Sequence, residues 1–181
     1  MHRYSGSSES ALDQDLQACR ASDPIGALLS NLRDVRKSLM AEPEDFSGAL
    51  VDRSGLLSVY IACLNRGILD FYTGGKVLLQ GNVDRHHILP RAQFPENKRS
   101  SADNIANIAF IAGDVNKSIG QSGPEVYLKH LKKSVLESQC IPTDKNLWSI
   151  EAAEDFWQAR RELLAESFNE FIRKALPLRR V

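Results

Sequence analysis

Hydrophobic positions recur at helical spacing along most of the chain, and strand-like patterning is confined to a central region. From Ser8 to Ala21, the apolar residues Ala11, Leu12, Leu16 and Ala18 keep a rough helical period. Asp23-Pro24 reads as a cap followed by proline at the first helical position. The second helix is expected to run to about Met40, with Ile25, Leu28, Leu29, Leu32, Val35 and Leu39 on one face. This predicts a helical hairpin, and no chemistry is legible in it. Ala41 to Gly55 is rich in turn formers and reads as a connector. Ser54 to Leu64 (SGLLSVYIACL) is apolar enough for a buried helix, stopped near Arg66-Gly67 by the glycine.

In the central region the pattern tightens. Gly74-Gly75 marks a turn, the β-prone Val77-Leu78-Leu79 follows, and Gly81-Asn82 marks another turn before NVDRHHIL. A hairpin-like approach to His86 and His87 is expected. Further on, IANIAF contains Asn107 in a strand-like run, and Asn116 opens what reads as a helix. Gly123-Pro124-Glu125 starts another helix carrying Val126, Tyr127, Leu128 and Leu131, and Ile141-Pro142 is an extended break. Leu147 to about Leu176 predicts a long helix, because Phe156, Leu163, Leu164, Ser167, Phe168, Phe171, Ile172 and Leu176 recur at helical intervals. Trp148, Trp157 and these phenylalanines read as core rather than as a base-stacking platform. The expected class is α+β, predominantly helical.

Composition changes this picture little. A chain of 181 residues, 43% hydrophobic and 25% charged, suits one packed domain with or without a helical extension. No apolar run approaches the ~20 residues of a membrane helix, so no membrane partner is expected. The N-terminal MHRYSGSSES lacks the apolar core of a secretory signal. Cys19, Cys63 and Cys140 are far apart and form no CxxC pair. That argues against a zinc knuckle or a disulfide framework and makes a reducing cytoplasm the expected compartment.

Charge changes it more. Net charge is zero, yet Met1–Asp52 holds five basic and nine acidic residues whereas Asn82–Val135 holds eight basic and five acidic ones. The second segment contains the histidine pair and is a candidate phosphate-facing surface. A pI of about 6.9 argues against a strong stand-alone DNA binder.

The candidate chemistry lies between Asp84 and Gly120. Phosphodiester hydrolysis needs an activated water, counter-charge for the phosphorane, and help for the leaving oxygen. A neutral histidine supplies the first and a divalent metal the others. His86 and His87 can divide these tasks, but consecutive strand residues point to opposite faces. Both serve one site only if the strand is twisted or bulged at its end, as Pro90 and the turn around Arg91 allow. Taken alone, Asn107 is explained as a turn cap, and Asn116 as a first-turn helix residue after an Asp114 N-cap. Asp84 lies on the same strand face as His86, either as a third ligand or as a surface acid. Arg85, Arg91 and Lys117 are candidate phosphate contacts, each also explicable as a solvated charge. His130 and His2 read as incidental.

HHILP followed by Asn107 and Asn116 resembles the HNH endonucleases of the ββα-metal (His-Me finger) superfamily. With SADNIANIAFIAGDVNKSIG, GPEVYLKHL and WQARRELLAESFNEFI, the stretch from about Ser54 to Leu176 resembles the C-terminal nuclease domain of GmrSD-type modification-dependent restriction enzymes and related phage-defence proteins. The resemblance implies a helical scaffold carrying a ββα-metal motif, its core near residues 82–120 of a nuclease domain spanning 53–181, with helices over 124–176 and a hairpin and connector over 1–52. It implies His86 and Asn116 as ligands of Mg²⁺ or Mn²⁺, His87 as general base, and Asn107 as a brace for the loop bearing the base. Many members carry a final histidine where this chain has Asn116. The nucleotide-hydrolysing module with a DGQQR-like motif that usually precedes the domain has no counterpart in this sequence. The chain is therefore expected either to be half of a split or truncated system or to rely on a separate regulatory or recognition subunit. The expected function is a metal-dependent DNA endonuclease or nickase of a restriction or anti-phage system, acting on double-stranded DNA. The alternative is a catalytically silent DNA- or partner-binding module that keeps the fold.

Overall fold

The computed structural model describes residues 8–35, 38–79 and 81–175. His2, Leu176 and the basic C-terminal tail lie outside them. By contacts the chain divides into two compact units, 1–40 and 41–181.

The first unit pairs helix α1 (Ser8–Ala18) with helix α2 (Pro24–Val35). Asp23 Oδ1 accepts from the Gly26 N–H at 3.1 Å, satisfying one of the donors orphaned at a helix start. Asn31 Nδ2 donates to Gln14 O at 3.3 Å and Asp15 Oδ1 at 3.0 Å across the hairpin. The second helix does not reach Met40, since residues 38–40 are non-helical. There Ser38 Oγ accepts from the Met40 N–H at 3.0 Å, a local bond that competes with the helical ladder.

In the second unit, the connector is part of the core. Phe46 is buried and meets Phe168 edge-on at 6.1 Å, while Ala41 exchanges two hydrogen bonds with the Asn169 side chain. The Leu50 N–H donates to Asp103 O and the Ile105 N–H to Gly48 O, latching this segment to the loop that carries Asp103. Helix α3 (Arg53–Asn65) starts where Asp52 accepts from the Ser54 and Gly55 N–H groups at 3.1 Å. It ends before Gly67, whose φ of +81° favours glycine.

Strands β1 (Val83–His87) and β2 (Ile108–Ala112) pair antiparallel as a two-stranded sheet, with His86 opposite Ala109 and His87 opposite Ile108. Helix α4 (Gly113–Ile119) follows β2 directly. The expected hairpin before the histidines takes another form. Leu69 bridges Lys76 around a turn, but Val77–Leu79 is a 3-10 turn and β1 pairs with β2. One oxygen of Asp70 holds the turn by accepting from Tyr72 and Thr73, while the other accepts from the Ala112 N–H at 2.8 Å. The turn is thereby fixed to the end of β2.

Strand β2 (IAFIA) is buried on both faces, which explains its unbroken apolar run. Ile108 and Phe110 belong to a cluster with Phe46, Val59 and Leu164, and Ala109 and Ile111 to one with Ile88, Tyr127 and Trp157. Helices α5 (Pro124–Tyr127) and α6 (Lys133–Ser138) follow. Helix α7 (Ala153–Ala175) contributes to both clusters. It starts later than its apolar pattern predicts because Lys145–Leu147 is a 3-10 turn and the buried Trp148 donates through Nε1 to Pro142 O. Trp148, Phe156 and Trp157 are core residues. The architecture is mostly helical α+β with one small antiparallel sheet. Among the described residues no helix is long and apolar enough to cross a membrane.

Candidate active site

The antiparallel register puts Asp84 and His86 on one face of β1, and Arg85 and His87 on the other. On the first face Asn116 projects from α4. His86 is 3% exposed. Its Nδ1 lies 2.9 Å from Asn116 Oδ1 and its Nε2 lies 3.2 Å from the Tyr127 hydroxyl oxygen. Phe71 and Tyr127 both meet the imidazole edge-on. Burial pushes the His86 pKa down to about 4, against the opposing effect of the Asn116 hydrogen bond. The ring is therefore neutral at pH 7.

Counting protons shows what this neutral ring can satisfy. Tyr127 has one hydroxyl proton, and burial keeps it there by pushing its pKa far up. That proton goes to the Ile88 carbonyl oxygen at 2.8 Å. The single imidazole N–H therefore serves either Tyr127 at Nε2 or Asn116 Oδ1 at Nδ1, and the other contact is left without a proton. Asn116 Nδ2 points to Asp84 Oδ2 at 3.3 Å, so its Oδ1 is the atom turned toward His86. His86 Nδ1 and Asn116 Oδ1 stand 2.9 Å apart with a carboxylate alongside. Such a donor set suits a hard divalent cation.

His87 ends β1. Its Nε2 is 3.1 Å from Asp103 Oδ1, and Asp103 Oδ2 is 3.7 Å from Arg91 Nε. A carboxylate only accepts, so neutral His87 carries its proton on Nε2 and presents Nδ1 as the basic atom. Both histidines line one cavity of about 170 Å³ at the strand end, together with Asn116, Arg85 and Arg91. Lys117 is exposed on α4, outside the residues lining it.

Asn107 lies just before β2, at the end of a 3-10 turn, and is fully buried. Its Oδ1 accepts from the Leu89 N–H, and its Nδ2 donates to Leu89 O and Ala102 O, each at 2.9 Å. It ties the segment after His87 to the start of β2. The helix bearing Asn116 is capped at Ala112, with Asp114 in its first turn.

Sequence reasoning missed Asp103 and the hydroxyl of Tyr127. Tyr127 was legible only as an apolar helix position, and nothing in the local pattern of SSADN ties Asp103 to His87. Among the described residues no three His, Cys, Asp or Glu side chains form a metal-holding group. Cys63 and Cys140 are buried in the cluster of Phe46 and Leu164, and Cys19 is exposed. No family model matches the chain, and neither the curated proteins nor the solved structures contain a match to it.

Proposed function

We propose that the chain is a metal-dependent endonuclease or nickase of the HNH type, hydrolysing phosphodiesters of double-stranded DNA. The observation that carries the reading is the convergence of His86 Nδ1 and Asn116 Oδ1, 2.9 Å apart, beside Asp84 and on the same cavity as His87. His86, Asn116 and Asp84 would hold Mg²⁺ or Mn²⁺. When bound, the cation supplies Lewis-acid stabilisation of the phosphorane and of the leaving oxygen.

The rest falls to the chain's own residues. His87 Nδ1 takes the proton of the attacking water, and Asp103 fixes the ring and stabilises the imidazolium that forms. Arg85 and Arg91 offer guanidinium groups to phosphate oxygens. Arg91 also pairs with Asp103, so phosphate binding and base orientation share a residue. Lys117 serves substrate binding only from outside the cavity. A role in restriction or phage defence, with recognition supplied by a separate subunit, follows from the sequence resemblance and belongs to the same proposal.

The test is cleavage of supercoiled plasmid with Mg²⁺ or Mn²⁺. His87→Ala is expected to lose on the order of 10²–10⁴-fold in rate, the usual contribution of a general base. Cleavage by that variant at the wild-type rate removes His87 from the role. DNA binding without nicking under any divalent ion favours the silent binding module instead.

A further inference from the structure

Outside the candidate active site, one fully buried cation makes no ion pair with a carboxylate of the described residues. Arg160 is 0% exposed, donates through Nη1 to Ala106 O and through Nη2 to Ile108 O and Gln139 O, and its Nε has no hydrogen-bond partner. Among the described residues its charge is met by no Asp or Glu ion pair. A buried charge without a counter-ion is costly.

The polar groups next to it are sulfur. Cys63 and Cys140 lie in one buried cluster, where each acts on the ionisation of the other and Cys63 also acts on that of Arg160. Cys140 is 3% exposed but lines a cavity of about 350 Å³ with Arg66, Glu137 and Thr143. Its φ of +52° is the one left-handed backbone at a non-glycine among the described residues, a conformation that costs energy for a residue with a Cβ. The neighbouring Cys63 thiol, then the Arg160 and Arg66 charges, hold the Cys140 thiol below its ordinary range in spite of burial. The neighbouring Cys140 thiol and burial push Cys63 the other way. Ionised, the Cys140 thiol would supply the anion that Arg160 lacks.

We propose that Cys140 and Cys63 form a peroxide-oxidisable thiol pair, with Cys140 the attacking sulfur on the cavity side and Cys63 the resolving one. In the first step the Cys140 thiolate attacks one oxygen of a hydroperoxide. An S–O bond forms, the O–O bond breaks, sulfur loses two electrons, and the other oxygen leaves as hydroxide or alkoxide. In the second step the Cys63 sulfur attacks Cys140. The S–S bond forms, the S–O bond breaks, and hydroxide leaves with the Cys63 proton as water. A dithiol reductant reverses the product.

The experiment exposes the full chain to hydrogen peroxide, blocks remaining thiols, and maps non-reduced peptides by mass. A Cys63–Cys140 linked peptide lighter by two hydrogens and restored by dithiothreitol is expected. Cys63→Ser is expected to stop at a Cys140 sulfenic acid that dimedone labels. Cys140→Ser is expected to slow Cys63 oxidation at least ~10-fold. Cys19 is the exposed reference thiol in the same molecule. Oxidation of Cys19 while Cys140 stays reduced, or unchanged Cys63 oxidation in Cys140→Ser, overturns the assignment. Should Cys140→Ser not fold, dimedone labelling of Cys63→Ser decides: label on Cys140 supports the proposal and its absence overturns it.

Discussion

Asn107 shows how one polar side chain fixes a site that it does not line. Its amide makes three hydrogen bonds at 2.9 Å inside a fully buried environment. Asn107→Ala removes all three at once and leaves the Leu89 N–H and O and the Ala102 O without those partners. Each unsatisfied buried group costs roughly 1–3 kcal/mol, so a loss of about 3 kcal/mol or more in urea unfolding is expected. A loss below about 1 kcal/mol indicates that water or a backbone shift satisfies these groups and that Asn107 is not the brace. His86 is specified by position in the same way. One ring nitrogen is committed to the Tyr127 hydroxyl and the other to the Asn116 amide oxygen. Neither commitment was legible in HHILP, because Tyr127 lies far along the chain and its hydroxyl reads as incidental in an apolar helix pattern.

At the scale of elements, legibility follows the physics of burial. Helix α7 was readable because it buries one face and so carries a 3.6-residue period, and α3 because its run is apolar and stopped at Gly67. Strand β2 was readable from its apolar run, although Asn107 falls in the 3-10 turn before it. Val77-Leu78-Leu79 was misread because β propensity measures fit to a pleated surface and says nothing about which partner is available. The partner is fixed by Asp70. Burial works to raise the carboxyl pKa of Asp70, but hydrogen bonds from the Ala112, Thr73 and Tyr72 N–H groups outweigh it and hold the pKa below the usual carboxylate range. A lowered folded pKa means that the stabilisation is fully present above the unfolded value of about 3.9 and is lost as pH falls through the folded pKa. Asp70→Asn is therefore expected to melt well below wild type at neutral pH, with the two curves converging in acid. Melting temperatures that stay a constant distance apart from pH 7 down to pH 2 count against this account of the turn.

At the scale of the molecule, the two hydrophobic clusters share β2 as their common wall and α7 as a common support, and every member of either cluster lies at Ala41 or beyond. So do His86, His87, Asn107, Asn116, Asp103 and Tyr127, and so does Arg160 with its three carbonyl partners. The helical hairpin of residues 8–35 contributes to none of these. The segment from Ala41 to Asp52 does, through Phe46 on Phe168 and through the hydrogen bonds to Asp103 and Ile105. These contacts locate the start of the minimal folding unit at Ala41 rather than at the first residue of α3. A chain of residues 41–181 is expected to melt cooperatively within a few degrees of the full protein, and to cleave plasmid at a comparable rate if the full protein does. A chain of residues 53–181 loses Phe46, the Asn169 latch and the Asp103 pairing, and is expected to be several kcal/mol less stable, with Phe46 removal alone worth about 3–5 kcal/mol. Calorimetry of the two fragments separates the cases. Equal melting temperatures for both would mean that the connector is packed on the core without supporting it.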